Sequence, residues 1–184
     1  VYDQHCAACH GVNGDGNGSA VVWLFPKPRN FNTGLFKIQS TPSGSLPSDE
    51  DLVNTVTRGM PGSSMPSFTF LSESQRREVV QYVKYLTAYL DDSGRRVNRF
   101  EQAKANDQLG KPIVVPPEPP ATFEALTEGK ALFTKLQCHT CHGETGAGDG
   151  SAAPALKDNW GFPLVPRDFN SGAFERGICA LPYV

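Results

Sequence analysis

The sequence predicts an all-α chain built as two tandem units, and three observations carry that prediction. A frame of the form Cys-X-X-Cys-His occurs twice, as Cys6-Ala7-Ala8-Cys9-His10 and as Cys138-His139-Thr140-Cys141-His142. The residues that follow each frame repeat as well. Apolar positions at helical spacing stand behind Ser caps, and a Pro-rich segment lies between the two copies.

The repeat sets the organisation. At an offset of 132, Cys6, Cys9, His10, Gly11, Gly14, Gly16, Gly18, Ser19 and Ala20 recur as Cys138, Cys141, His142, Gly143, Gly146, Gly148, Gly150, Ser151 and Ala152. Further on the offset is 138, and Pro28-Arg29-Asn30-Phe31-Asn32-Thr33-Gly34-Leu35-Phe36 returns as Pro166-Arg167-Asp168-Phe169-Asn170-Ser171-Gly172-Ala173-Phe174. Six extra residues therefore enter the second copy, around Leu156 to Pro163. Repetition of this kind means two units of one fold.

Each helix has a local reason. Ser72 and Gln75 form the two ends of a capping box. Val79, Tyr82, Val83, Leu86 and Leu90 then follow at helical spacing, which predicts a helix from Glu73 to Leu90 closing the first unit. A shorter helix starts at Ser48, with Asp49, Glu50 and Asp51 in the first turn, where carboxylates suit the positive end of the helix dipole. Phe123 to Leu136 reads as the opening helix of the second unit, with Gly129 and Phe133 on the face expected to meet a closing helix. Pro112, Pro116, Pro117, Pro119 and Pro120 favour extended polyproline geometry. The expected boundaries are 1–92 for the first domain, 93–121 for the tether and 122–184 for the second domain.

Two further expectations concern completeness. Only Val1 to His5 precede Cys6, so most of an opening helix is expected to be missing from the first unit. His10 and Met65 are 55 positions apart, and no Met follows His142. The second domain is accordingly expected to be incomplete at its C-terminal end, with the natural protein continuing past Val184.

Composition excludes some partners. The 184 residues hold 17 Lys and Arg against 19 Asp and Glu, a net charge of −2 that argues against a nucleic-acid partner. No apolar run approaches the ~20 residues that cross a bilayer; the densest, Val21 to Phe25, stops at Pro26. With 18 Gly and 15 Pro the chain is rich in loops, and small domains bury proportionally little surface. A non-protein group is expected to help fill each core.

The repeated frame names that group. Cys-X-X-Cys-His is the attachment signature of c-type haem. Two thiols three positions apart near a helix end can add to the two vinyl groups of one haem, and the adjacent His then serves as proximal iron ligand. Cys6, Cys9 and His10 would hold one haem and Cys138, Cys141 and His142 a second. A structural zinc site needs four ligands in one cluster, and a thioredoxin-like CxxC needs a βαβ context. Simple disulfides leave the His after each second Cys without explanation.

Other residues are assigned around this centre. Met60 and Met65 are the two thioethers on offer as sixth ligand of the first iron. Arg29 and Arg167 are expected to bond haem propionates, because the guanidinium is a rigid donor fork for carboxylates. Pro26, Pro28 and Pro154 are candidates for the carbonyl that accepts the proximal imidazole N–H. His5 and His139, each beside an attaching Cys, are expected to point away from their own iron. The glycine runs after each frame lack the Gly-Lys-Ser/Thr ending of a phosphate loop. Cys179 has no assigned role.

Both units resemble class I c-type cytochromes, and the likeness covers nearly the whole chain apart from the tether. The repeated Pro-Arg-(Asn/Asp)-Phe-Asn segment and the stretch from Thr41 to Phe68 are similar to a subgroup of bacterial respiratory cytochromes, some of them parts of larger oxidoreductases. The resemblance implies an all-α fold wrapped around one haem per unit, with an N-terminal helix crossing a C-terminal one. Met65-Pro66-Ser67-Phe68 is similar to the family's distal-ligand loop, which favours Met65 over Met60. Iron held by His and Met has no open position for a substrate, so the expected role is a one-electron carrier or relay rather than an enzyme. The implied partners are redox proteins or subunits of a respiratory complex, and the implied location is the bacterial periplasm or the periplasmic face of the cytoplasmic membrane. The rival expectations are a di-haem peroxidase-like enzyme and a component whose haems extend a longer chain of carriers.

Overall fold

A computed structural model describes residues 1–60, 63–158 and 161–171. The chain divides into a first unit, Val1–Val114, and a second that begins at Val115. Both are helical, and the one sheet among the described residues is a two-stranded hairpin.

The first unit opens with α1 (Tyr2–His5) and α2 (Ala7–His10), joined through Cys6. Next come α3 (Asp49–Arg58) and α4 (Glu73–Leu86). Both start as their sequences dictate. The Ser48 hydroxyl accepts from the Asp51 N–H at 3.1 Å, and the Asp51 carboxylate accepts from the Ser48 N–H at 2.9 Å. Ser72 and Gln75 make the same reciprocal pair at 3.2 and 2.9 Å. Each box satisfies two backbone donors that a helix start would otherwise leave open.

Helix α4 is the element that both cores share. Val79, Val83 and Leu86 pack with Tyr2 and Phe31, while Val80 packs with Leu52, Val53 and Phe100. Phe36 touches both clusters. Outside the apolar contact, Lys84 reaches Asp49 at 2.8 Å and Arg77 reaches Glu50 at 2.8 Å, tying α4 to α3. Exposed pairs of this sort contribute ~0–1 kcal/mol each, so apolar burial dominates the α3–α4 contact. Burial raises the Asp49 pKa, but hydrogen bonds from Lys84 and Gln81 outweigh it and hold the carboxyl below its ordinary value.

Helix α4 stops at Leu86, four residues before the expected end at Leu90. Thr87 is fully buried; its N–H and its hydroxyl both donate to the Lys84 carbonyl, at 3.2 and 2.6 Å, and the Ala88 N–H donates to that of Tyr85 at 3.3 Å. The chain then turns into a hairpin of β1 (Tyr89–Leu90) and β2 (Arg96–Val97), with Tyr89 opposite Val97. The Asp91 carboxylate shapes the turn by accepting from the N–H groups of Ser93 and Arg95, at 3.0 and 2.9 Å. Leu90 fits the helical period in sequence, yet it is 70% exposed. An Asp-Asp-Ser-Gly turn overrode one more apolar match.

The hairpin leads into α5 (Arg99–Ala105). Asn98 serves two helices at once: its side-chain oxygen accepts from the N–H groups of Phe100 and Glu101, and its side-chain nitrogen donates to the Lys84 carbonyl at the end of α4. Phe100 enters the second core and is 5% exposed. Beyond α5, the Ile113 N–H donates to the Ser40 carbonyl at 2.8 Å. Much of the span 93–121, expected as tether, is therefore folded onto the first unit. One aromatic residue anchors it, too little to give a periodic apolar signal. Exposed, irregular backbone follows from Lys111 to Ala121 and holds the prolines.

The second unit contains α6 (Phe123–Lys135), capped by the Thr122 hydroxyl, and α7 (His139–His142). A 3-10 turn covers Ala153–Ala155, and Lys157 bridges Pro163. No α6 residue is buried. Phe123, Leu126 and Leu132 are exposed; on the face expected to meet a closing helix, open space surrounds Gly129 while Phe133 is half-buried. No helix among the described residues is long and apolar enough to cross a membrane.

Two outcomes follow from this packing. Phe100→Ala should cost ~3–5 kcal/mol, the usual loss for a buried phenyl, in urea unfolding of the intact chain; a loss below ~1 kcal/mol would detach α5 from the core. The Asp49 carboxyl has a depressed folded pKa, so its contribution is present above the unfolded value and disappears as pH falls through the folded one. Asp49→Asn should lower the neutral plateau of a thermal-melting profile slightly and so flatten its acid limb, leaving the low-pH end, where the carboxyl is already protonated, little changed.

Candidate functional site

Each Cys-X-X-Cys-His frame forms a single helical turn. In the first unit the N–H groups of Cys9 and His10 both point at the Cys6 carbonyl, at 3.1 and 2.8 Å. In the second, Cys141 and His142 address Cys138 at 3.3 and 2.9 Å. One turn brings both thiols of a frame to the same side of the helix as the ring that follows. None of these four Cys is in a disulfide, and burial pushes the Cys6 thiol up to about 11, so it remains protonated at neutral pH.

The glycine runs complete the turn. Gly11 and Gly143 end α2 and α7 at φ +79° and +78°. The loop then doubles back, and the N–H groups of Gly16, Gly18 and Ala20 donate to the carbonyls of His10, Cys9 and Ala8 at 2.8, 3.2 and 2.9 Å. Gly148, Gly150 and Ala152 repeat this on His142, Cys141 and Thr140 at 2.8, 3.2 and 2.8 Å. These are the carbonyls that a helix end leaves without partners. A Cβ on Gly18 would meet the Ala8 carbonyl, and one on Gly150 would meet that of Thr140.

The imidazoles are oriented from behind. His10 Nδ1 lies 3.0 Å from the Arg29 carbonyl, and His142 Nδ1 lies 3.2 Å from the Arg167 carbonyl. A carbonyl only accepts, so Nδ1 carries the proton and Nε2 keeps its lone pair. Burial lowers the His10 pKa and favours this neutral ring. The acceptor is thus the residue after Pro28 and Pro166, and none of the three prolines considered from sequence supplies it. In the first unit an aromatic ladder continues behind the ring. Phe31 lies 4.5 Å from His10, Phe36 lies 6.4 Å from Phe31, and Phe100 lies 6.1 Å from Phe36.

The methionine segment is held as a closed turn. The Met60 N–H donates to the Met65 carbonyl at 3.0 Å, and Ser63 bonds Met60 through both its N–H and its hydroxyl. The Ser67 hydroxyl reaches the Thr57 carbonyl at 2.8 Å, and the Phe68 N–H reaches the Val56 carbonyl at 3.2 Å, fastening the turn to α3. Both methionines are half-buried. His5 is exposed and packs edge-on against Phe70 at 5.4 Å, and His139 Nε2 lies 4.0 Å from Glu144. Cys179 lies outside the described residues.

The donor set is that of a covalent metalloporphyrin site: paired free thiols, a neutral imidazole with Nε2 open, and a loop that leaves no room for side chains beside the turn. The chain is thereby placed in the class of helical, covalent haem proteins. It belongs to the cytochrome c family, whose model, described as Cytochrome c, matches residues 1–87 and 126–163.

Relatives agree with that placement. The chain is 27% identical over 174 residues to the Cbb3-type cytochrome c oxidase subunit CcoP of Azospirillum sp. (strain B510), a match that covers 86% of this chain and 45% of that protein. It spans less than half the length of that relative. Among solved structures it is similar to a chain of the Kuenenia stuttgartiensis reducing HAO-like protein complex, with 37% identity and a TM-score of 0.78 over 93% of this chain and 72% of that one. Membership of the family implies covalently bound haem c, which supplies an iron centre that cycles one electron.

Sequence reasoning missed the loop amides of Gly16, Gly18, Gly148 and Gly150 as structural partners of the frame, and Phe31 and Phe169 as neighbours of the imidazoles. The repeat displayed all six. What it lacked was direction, since identity at a fixed offset does not say which groups face each other.

Gly18→Val, and separately Gly150→Val, should lower haem attachment in the altered unit, because the side chain drives the loop off the helix carbonyls. Intact-mass measurement after expression with the haem-attachment machinery reads this directly; full occupancy in both variants would refute it.

Proposed function

We propose that the chain is a di-haem electron-relay module. His10 and His142 are the proximal ligands, Cys6, Cys9, Cys138 and Cys141 the attachment points, and Met65 the sixth ligand of the first iron. The observation that carries this reading is the duplicated site: thiol pair, imidazole, carbonyl acceptor and glycine loop recur in both units with matching hydrogen bonds. An iron held on both faces has no position for a substrate, so the protein's part is to orient the ligands, exclude water and set the potential. Arg29 and Arg167 are assigned to the propionates in this reading, each side chain beginning at the residue whose carbonyl holds the imidazole.

Similarity to a respiratory oxidase subunit and to a chain of a multi-protein complex supports partner subunits as donor and acceptor. It also supports a place in the periplasm or on the periplasmic face of the membrane. The domain division offered here is a cytochrome domain of residues 1–92 extended by the folded part of 93–114, a Pro-rich tether, and a cytochrome domain from residue 122.

A peroxidase-like enzyme, in which one iron is five-coordinate, is the second reading.

Intact mass joined to a spectroelectrochemical titration of the matured protein is the decisive experiment. The relay reading expects two haems, two one-electron steps, and loss of the thioether-to-iron band in Met65→Ala but not in Met60→Ala. A single haem, or a band that follows Met60, would overturn the corresponding assignment. High-spin iron with peroxide turnover would select the enzyme.

A further inference from the structure

The phenyl rings behind the two imidazoles are placed too similarly to be filler. Phe31 stacks on His10 with centroids 4.5 Å apart and planes inclined by 18°, and Phe169 stacks on His142 at 4.5 Å and 20°. The agreement survives a change in the intervening chain. His10 and Arg29 are 19 positions apart, whereas His142 and Arg167 are 25 apart. Each phenyl is located through its own backbone, by an N–H donated to the carbonyl of Gly14 or Gly146 at 2.7 Å in both units. At each of those glycines a Cβ would press on the phenyl, so the close approach needs the missing side chain.

Two restraints on one ring are then complementary. The bond from Nδ1 to the Arg29 or Arg167 carbonyl fixes an edge of the imidazole, but the ring can still turn about that bond. A flat apolar face against the imidazole plane blocks the turn. In the first unit, where the Nδ1 bond is partly buried, it also limits the water that would compete for the proton. Ferric iron carries one more positive charge than ferrous, and an apolar neighbour stabilises charge less well than water does. The phenyl accordingly favours the reduced state.

We propose that Phe31 and Phe169 are positioning residues for the proximal imidazoles, setting the ring plane and, through it, the ligand field and reduction potential of each haem. The proposal rests on His10 and His142 being the axial ligands. The competing account is that the phenyls are ordinary packing. Phe31 does belong to the core with Tyr2, Val79, Val83 and Leu86, so its removal risks the fold. Phe169 is half-exposed and supplies the cleaner case.

The test uses the full, haem-loaded chain carrying Phe169→Leu or Phe169→Tyr, with Phe31→Leu and Phe31→Tyr alongside. Electron paramagnetic resonance of the ferric protein reads the ligand field, and redox titration reads the potential. Phe169→Leu should shift the g values and lower the midpoint of one haem only, and Phe169→Tyr, which restores a flat face, should return both to the native values. If Phe169→Leu changes only the denaturation midpoint, the phenyl is packing and the proposal fails. His142→Gly separates the two assumptions: a native spectrum in that variant would remove the axial-ligand reading itself, whereas a lost spectrum that returns with added imidazole upholds it and leaves the Phe169 result to decide the rest.

Discussion

The hydrogen bond from the imidazole to a distant backbone carbonyl is the constraint around which each unit is arranged. An imidazole that is to bind iron through Nε2 must keep its proton on Nδ1, and the group holding that proton must be a permanent acceptor in a fixed place. A backbone carbonyl meets both conditions, provided the chain returns to the helix after a long excursion. Much of the local architecture serves that return. Glycines end the helical turn, their amides lock the loop onto α2 or α7, and the Pro-Arg-(Asn/Asp)-Phe-Asn segment then arrives behind the ring. Six additional residues in the second excursion leave the final bond in place, lengthened only from 3.0 to 3.2 Å. Surface loops absorb such insertions at little entropic cost.

In the first unit that local motif sits in a core divided by one helix. Val79, Val83 and Leu86 of α4 face the attachment turn through Tyr2 and Phe31, and Val80 faces α3 and α5. Phe36 touches both groups, so the site is packed continuously with a segment nearly a hundred residues further along the chain. The second unit has the same turn, loop and ring pair.

Legibility differed by the range of the interaction. The capping boxes at Ser48 and Ser72 are contacts within one turn, and sequence located both helix starts. The end of α4 was misjudged by four residues, because Thr87, Asn98 and the Asp91 turn close it through bonds to groups that periodicity does not weigh. Phe100 was invisible for a related reason. A single aromatic residue in a polar stretch has no pattern around it, and its burial depends on a groove made by α3 and α4. The carbonyl acceptor is expected at Pro26, Pro28 or Pro154 but lies at Arg29, one residue past Pro28, and at Arg167, well past Pro154, which only the path of the backbone decides.

Sequence by itself determined the chemistry that covalent attachment demands. Two thiols and an imidazole within five residues leave few alternatives, and their repetition announces two copies. The all-α class, the helix starts and the absence of a long apolar run came with it, each a property of short stretches. Tertiary structure decided what those residues face: which carbonyl holds each ring, which phenyl lies against it, and how much of the expected tether is core. The reason is that bonding partners at these sites lie about twenty residues away or more, and over that distance the path of the loop, rather than the identity of its ends, selects which groups meet.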